Sequence, residues 1–206
     1  MAFTVPPPRT PSPVPVPPAE AVARWYEREL GWATAAGPPV QLPTGLRFDV
    51  LELPADAGSV LLGRYGRTGP VAVAGRRMRL LVAAGSADEL PGLLDWLEWG
   101  GIGLDLTAVG AGGRITAPAP LGAPVPQGAA RWLRPPEPGR EVEPSLPALA
   151  PVGRCAGPGG GGGTPDLARL VDTAASACHR ARLLRASART HRPTTHRTSA
   201  QPLAFS

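Results

Sequence analysis

The spacing of hydrophobic positions separates a patterned middle of the chain from two unpatterned ends. Apolar side chains share one helical face from Val22 to Leu30, which predicts a helix that begins at Pro17-Pro18. Gly31 is a natural stop for that helix. The chain then predicts a strand at 46–53 and a short helix at 55–65, with a pair of strands at 71–73 and 78–82 around a turn at 74–76.

The strand at 78–82 has a period of two. Its apolar residues alternate with Arg77 and Arg79, so we expect the two arginines on one face and the apolar side chains on the other. Ser86-Ala-Asp-Glu89 matches a capping box and predicts a helix that stops at Gly100-Gly101. Residues 104–109 and 114–117 predict a second hairpin, with a glycine-rich turn between them.

These elements predict an α+β fold, a small mixed or antiparallel sheet with helices packed on one face. We expect this domain to span 19–120. A proline-rich disordered arm precedes it at 1–18, and a Pro/Gly-rich linker follows at 121–165. A short basic amphipathic helix is predicted at 166–188, and 189–206 reads as a disordered tail.

Composition narrows the function classes. No apolar run is long enough to span a membrane, and residues 1–18 lack the pattern of a secretory signal, so we expect a cytoplasmic protein without membrane contacts. Two cysteines are too few for a disulfide scaffold. All 21 basic residues are arginine, which is typical of a GC-rich genome of the actinobacterial type.

The net charge of +5 comes from the C-terminal end of the chain. Residues 167–206 hold seven arginines and one acid, whereas 1–166 hold 14 arginines and 15 acids. A basic tail can bind phosphates through counterion release. The alternative is a tail that is merely solvated.

Few groups in the middle of the chain could perform catalysis. All three histidines lie after residue 178, so no histidine-based triad can form within 19–120. The glycine run at 157–163 lacks the Gly-Lys-Ser/Thr ending of a phosphate loop. Trp96 and Trp99 lie on an acidic helix, which is either a solvated face or a surface for a protein partner.

Acidic residues occur on predicted strands. Asp49 and Glu52 lie on the first strand and Asp105 begins a later one. Acids on neighbouring strands can converge on a divalent cation, which prefers oxygen ligands. The alternative is that each carboxylate faces solvent.

The order of four motifs resembles the N-terminal domain of the bifunctional DNA primase/polymerase family, within the archaeo-eukaryotic primase superfamily. The family's pattern consists of a helix leading to Gly-Trp, an acidic strand, a Gly-Arg strand and an Asp-bearing strand with a glycine pair. Residues 20–120 of this chain are similar to it. The matching segments here are Glu29-Leu-Gly-Trp32, Phe48-Asp-Val-Leu-Glu52, Gly75–Val82 and Leu104–Pro120.

The resemblance implies a catalytic and metal-binding role for Asp49 and Asp105, with Mg²⁺ or Mn²⁺ as cofactor. It implies that Arg76, Arg77 or Arg114 holds a nucleoside triphosphate. This chain departs from the pattern: Leu51 replaces the second acid of Asp-x-Asp, and Met78 replaces a phosphate-contacting histidine.

Two hypotheses remain open from the sequence. The first is a primase/polymerase-like protein with lost or reduced nucleotidyl transfer that still binds nucleotide or DNA. The second is a non-enzymatic adaptor that contacts a protein partner through its proline-rich arm or the Trp96/Trp99 helix.

Overall fold

A computed structural model describes residues 17–149 and 166–190, with side chains to residue 188. Within these ranges the fold is α+β, as predicted. The helices are α1 Ala19–Trp25, which continues as a π-helical turn Tyr26–Leu30, α2 Ala55–Arg64, α3 Ser86–Trp96 and α4 Leu167–Thr190. The strands are β1 Gln41–Pro43, β2 Phe48–Pro54, β3 Val71–Ala74, β4 Arg77–Ala83, β5 Thr107–Val109, β6 Arg114–Thr116 and β7 Arg131–Arg134.

The main sheet has five antiparallel strands in the order β5-β2-β4-β3-β7. The predicted β3–β4 pair is confirmed, with Val71 opposite Leu80. Strand β2 is an interior strand, because it pairs with both β4 and the edge strand β5. Its register places Glu52 opposite Arg79 on one side and opposite Thr107 on the other.

The predicted hairpin at 104–117 is wrong. Strand β5 joins the main sheet, whereas β6 crosses over to pair with β1 in a separate two-stranded sheet. A residue distant in the chain stabilises the turn between them, because the Thr44 hydroxyl donates a hydrogen bond to the Gly110 carbonyl at 2.6 Å. The glycines allow a tight turn between β5 and β6, but they do not determine whether these two strands pair with each other.

One face of the main sheet, the helical face, is covered by α2, α3 and α4. Its core is aliphatic, and the predicted stripe of α4 lies at its centre with every member buried: Leu167, Leu170, Val171, Ala174 and Cys178. Helix α4 contacts both α2 and α3 and therefore lies between them. In the described ranges, no helix is both long and apolar enough to cross a bilayer.

The opposite face, the aromatic face, is covered as well, a layer that the sequence patterns did not indicate. The rings of Tyr26 and Trp32 stack with centroids 6.0 Å apart, and Trp32 also contacts Phe48 at 4.9 Å. Trp132 of β7 completes the group and donates its indole N–H to the Tyr26 hydroxyl at 3.1 Å. Burial raises the pKa of Tyr26, and its phenol donates to the Pro118 carbonyl.

The fold continues past the boundary predicted at residue 120. Strand β7 forms the edge of the main sheet, and Val142 and Leu146 pack into the core of the aromatic face. Helix α4 is part of the helical face rather than a separate segment. Residues 1–16, 150–165 and 191–206, including the glycine run and most of the predicted arm and tail, lie outside the described residues.

Candidate functional site

Asp49 is a buried structural carboxylate. Its residue is 1% exposed and lies on β2, pointing toward the helical face. One oxygen, Oδ2, accepts a hydrogen bond from the backbone N–H of Ala87 at 2.9 Å, in the first turn of α3. Negative charge is favourable at this end of a helix because its first N–H groups lack partners. Within the described residues, Oδ1 is buried without a hydrogen-bond partner.

Asp49 performs the role that the sequence pattern assigned to Ser86. The capping box is wrong: Ser86 is the first residue of α3, its N-cap is Gly85 with φ of 89°, and no side chain of that segment caps the helix. The cap comes instead from a strand 38 positions earlier in the chain. Gly110 packs against this contact, since a Cβ there would lie 2.6 Å from the Cβ of Ala87.

Glu52 is the centre of a charged cluster on the aromatic side of the sheet. Its two oxygens accept from Arg77 Nε at 3.0 Å and from Arg79 Nε at 2.7 Å. Arg77 also binds Asp105 through Nη1. Burial alone would raise the pKa of Glu52, but the two arginines outweigh it and lower that pKa. Burial opposes the charge on Arg77, yet Asp105 and Glu52 raise its pKa.

The structure does not bring Asp49 and Asp105 together. Because Glu52 lies opposite Thr107, Asp105 lies near the Pro54 end of β2, while Asp49 is at the other end. Five residues of extended strand correspond to about 16 Å. A shared cation needs oxygen ligands at about 2–2.6 Å, so these two carboxylates do not fit a common Mg²⁺ or Mn²⁺. Among the described residues, no group of three or more His, Cys, Asp or Glu side chains could hold a metal.

The three predicted triphosphate ligands have different environments. Arg77 is engaged by Glu52 and Asp105, and Arg114 lies in β6 of the smaller sheet, where it pairs with Pro43. Arg76 is exposed in the β3–β4 turn. Met78, at the histidine position of the resemblance, is 2% exposed and belongs to the aliphatic core.

A grouping of arginines that sequence reasoning missed lies around Arg76. Its carbonyl accepts from the N–H of Ala55 at 2.8 Å, and the next residue, Asp56, pairs with Arg185 of α4 at 3.6 Å. Arg182 lies one turn earlier on the same side of α4 and donates to the Gly103 carbonyl. We call Arg76, Arg182 and Arg185 the basic edge. A signal existed in the dense arginines of 180–189, but their position depends on how α4 docks.

The two tryptophans of the predicted partner surface have different environments. Trp99 is half-buried, donates its indole N–H to Asp172 of α4 at 3.1 Å, and lies 5.9 Å from the His179 ring. Trp96 is 73% exposed. Trp99 therefore joins α3 to α4, and only Trp96 is available at the surface.

Comparisons with known proteins add no relative to this geometry. No family model matches the chain, and neither the curated proteins nor the solved structures include a match. The features that bear on function are the separated acids, the ion-paired Arg77 and the basic edge.

Proposed function

We propose that the chain binds nucleic acid through the basic edge and does not transfer nucleotides. The observation that supports this most is that the first residues of α2 contact both regions, since the N–H of Ala55 donates to the Arg76 carbonyl and Asp56 pairs with Arg185 of α4. Arginine guanidinium groups suit phosphate because they present several N–H donors in a planar fork. Among the residues that the structure describes, Asp56 is the one acid that forms an ion pair with this group.

The C-terminal part of the chain, including most of α4, has the same charge. After Asp172 the sequence contains six arginines and no acid. Phosphate contacts of this type are independent of sequence and weaken steeply with salt. The proposed activity is therefore electrostatic binding of DNA or RNA, with the folded domain positioning the first arginines.

The acids support the loss of nucleotidyl transfer. Phosphoryl transfer relies on metal ions that bridge the phosphates and neutralise developing charge. Asp49 is engaged at the start of α3, and Asp105 is engaged by Arg77. In primer-extension assays with Mg²⁺ or Mn²⁺, we expect no product above background. Product that disappears in both Asp49→Ala and Asp105→Ala would contradict this half of the proposal.

Binding is tested with labelled single- and double-stranded oligonucleotides, by fluorescence anisotropy of the full chain over a series of salt concentrations. The double variant Arg76→Glu/Arg182→Glu should weaken binding at least tenfold at low salt and lower the salt slope by about two. The matched control is Arg24→Glu/Arg28→Glu on the first helix, which makes the same charge change among exposed residues. Equal losses in both variants would show a net-charge effect and overturn the basic edge as the site.

A further inference from the structure

Helix α3 has an acidic outer face with one large apolar side chain. Its exposed residues Asp88, Glu89, Asp95 and Trp96 fall within one sector of the helix, opposite the buried Leu90. No basic residue occurs between 86 and 98. We call these four exposed residues the acidic face.

The exposed side of helix α4 complements this acidic face, because it carries a basic residue and two large apolar side chains. Leu183 and Leu184 are 54% and 65% exposed, and Arg180 lies one turn before them between their directions on the helix. No acid follows Asp172. We call Arg180, Leu183 and Leu184 the leucine patch. It points away from Arg182 and Arg185 and is therefore separate from the basic edge.

The two surfaces have a fixed spatial relation. Helices α3 and α4 pack side by side on the helical face, and the Trp99–Asp172 hydrogen bond joins them. A two-fold axis between two molecules can therefore place α3 of each against α4 of the other, which makes the same contact twice. Packing of the leucine patch on its own symmetry mate would bring arginine against arginine instead.

We propose that the chain forms a reciprocal homodimer, in which the acidic face of each copy binds the leucine patch of the other. Trp96 and the two leucines would supply the apolar centre, and Arg180 with the acids would supply the charged rim. Exposed tryptophan and arginine are the residue types that contribute most at such contacts. This inference goes beyond the proposed nucleic-acid binding and does not depend on it.

The experiment is a charge exchange followed by sedimentation velocity on the full chain, without nucleic acid. Arg180→Glu and Glu89→Arg should each weaken the homodimer at least tenfold, because the altered pair occurs twice in each dimer. An equimolar mixture of the two variants should dimerise nearly as well as wild type. In that heterodimer one contact has exchanged charges and the other is unchanged. Arg28→Glu is the control for net charge, and circular dichroism confirms that each variant is folded.

Each outcome decides the question. A wild-type chain that stays monomeric through the micromolar range overturns the proposal, and so does a mixture that dimerises no better than its components. In the latter case the two surfaces would bind something else, such as an acidic protein on the leucine patch. Trp96→Ala should weaken dimers without altering their salt dependence. Oligonucleotide binding by Arg180→Glu is measured alongside, so that failure of the dimer and failure of the basic edge are distinguishable.

Discussion

Two carboxylates of the same strand, Asp49 and Glu52, have different hydrogen-bond partners on the two faces of the main sheet. Asp49 points to the helical face, where the start of α3 supplies a backbone N–H. Glu52 points to the opposite face, where two arginines of β4 supply the partners. Both acids sit on the strand of the sequence motif, yet the side chains packed on each face determine their roles. An acidic strand is therefore evidence of catalysis only when its carboxylates share a face.

The largest expected effect would test whether the aromatic face is a packed core, as the helical face is. Trp32 is 3% exposed and contacts three other rings. Trp32→Ala should lower the free energy of unfolding by about 4 kcal/mol, because it leaves a large cavity. Guanidinium denaturation measures this change. Leu46→Ala, at a residue that is 71% exposed, is the control and should lie within about 0.5 kcal/mol of wild type, and equal losses for both would contradict the layered arrangement.

A smaller change separates the roles of the two aspartates. Asp49→Ala should destabilise the fold by about 2 kcal/mol, since it removes the cap of α3 and leaves a half-buried N–H unpaired. Asp105 is 51% exposed, so Asp105→Ala should cost less than about 1 kcal/mol. Urea titration of both variants gives the comparison. A greater loss for Asp105→Ala would show that our assignment of these carboxylates is reversed.

Low pH should reduce the free energy of unfolding, because protonation of Glu52 weakens its ion pairs with Arg77 and Arg79. Because the folded-state pKa of Glu52 is lowered, the unfolded chain binds its proton first as pH falls. The stabilisation is complete above the ordinary glutamate pKa and is lost as pH falls from there through the folded-state value. Glu52→Gln should cost about 1.5 kcal/mol at neutral pH, and its stability should change less with pH in the acid range. A parallel pH profile for wild type and Glu52→Gln, from thermal melts, would refute this.

The end of α3 offers the smallest effect, and it is a gain. Glu98 has φ of 65°, the left-handed conformation that follows many helices and favours glycine. The N–H of Trp99 donates to the Leu94 carbonyl at 2.8 Å and closes the helix. Glu98→Gly should raise the free energy of unfolding by about 1 kcal/mol, because a side chain is strained there. Glu89→Gly, within the helix, should lower it by a similar amount.

Local patterns predicted much of the fold correctly. The helix at 55–65, the β3–β4 pair and the buried stripe of α4 follow from periods of 3.6 and two, which are properties of each segment alone. The separation of Arg77 and Arg79 from the apolar side of β4 follows from the same alternation. At the candidate site, the same alternation predicted which face of its strand each charged residue occupies.

Only the tertiary structure decided what those charged residues contact. Strand β6 pairs with β1 instead of β5, Asp49 caps a helix that begins 37 positions later, and Asp56 of α2 pairs with Arg185 of α4. Such contacts join segments distant in sequence, and burial of the whole apolar surface selects them rather than the propensity of either segment. The sequence by itself determined most of the helices and strands between residues 19 and 117 and the excess of positive charge near the C-terminus. The pairing of β5 with β2 determined that Asp105 lies beside one end of β2 while Asp49 lies at the other.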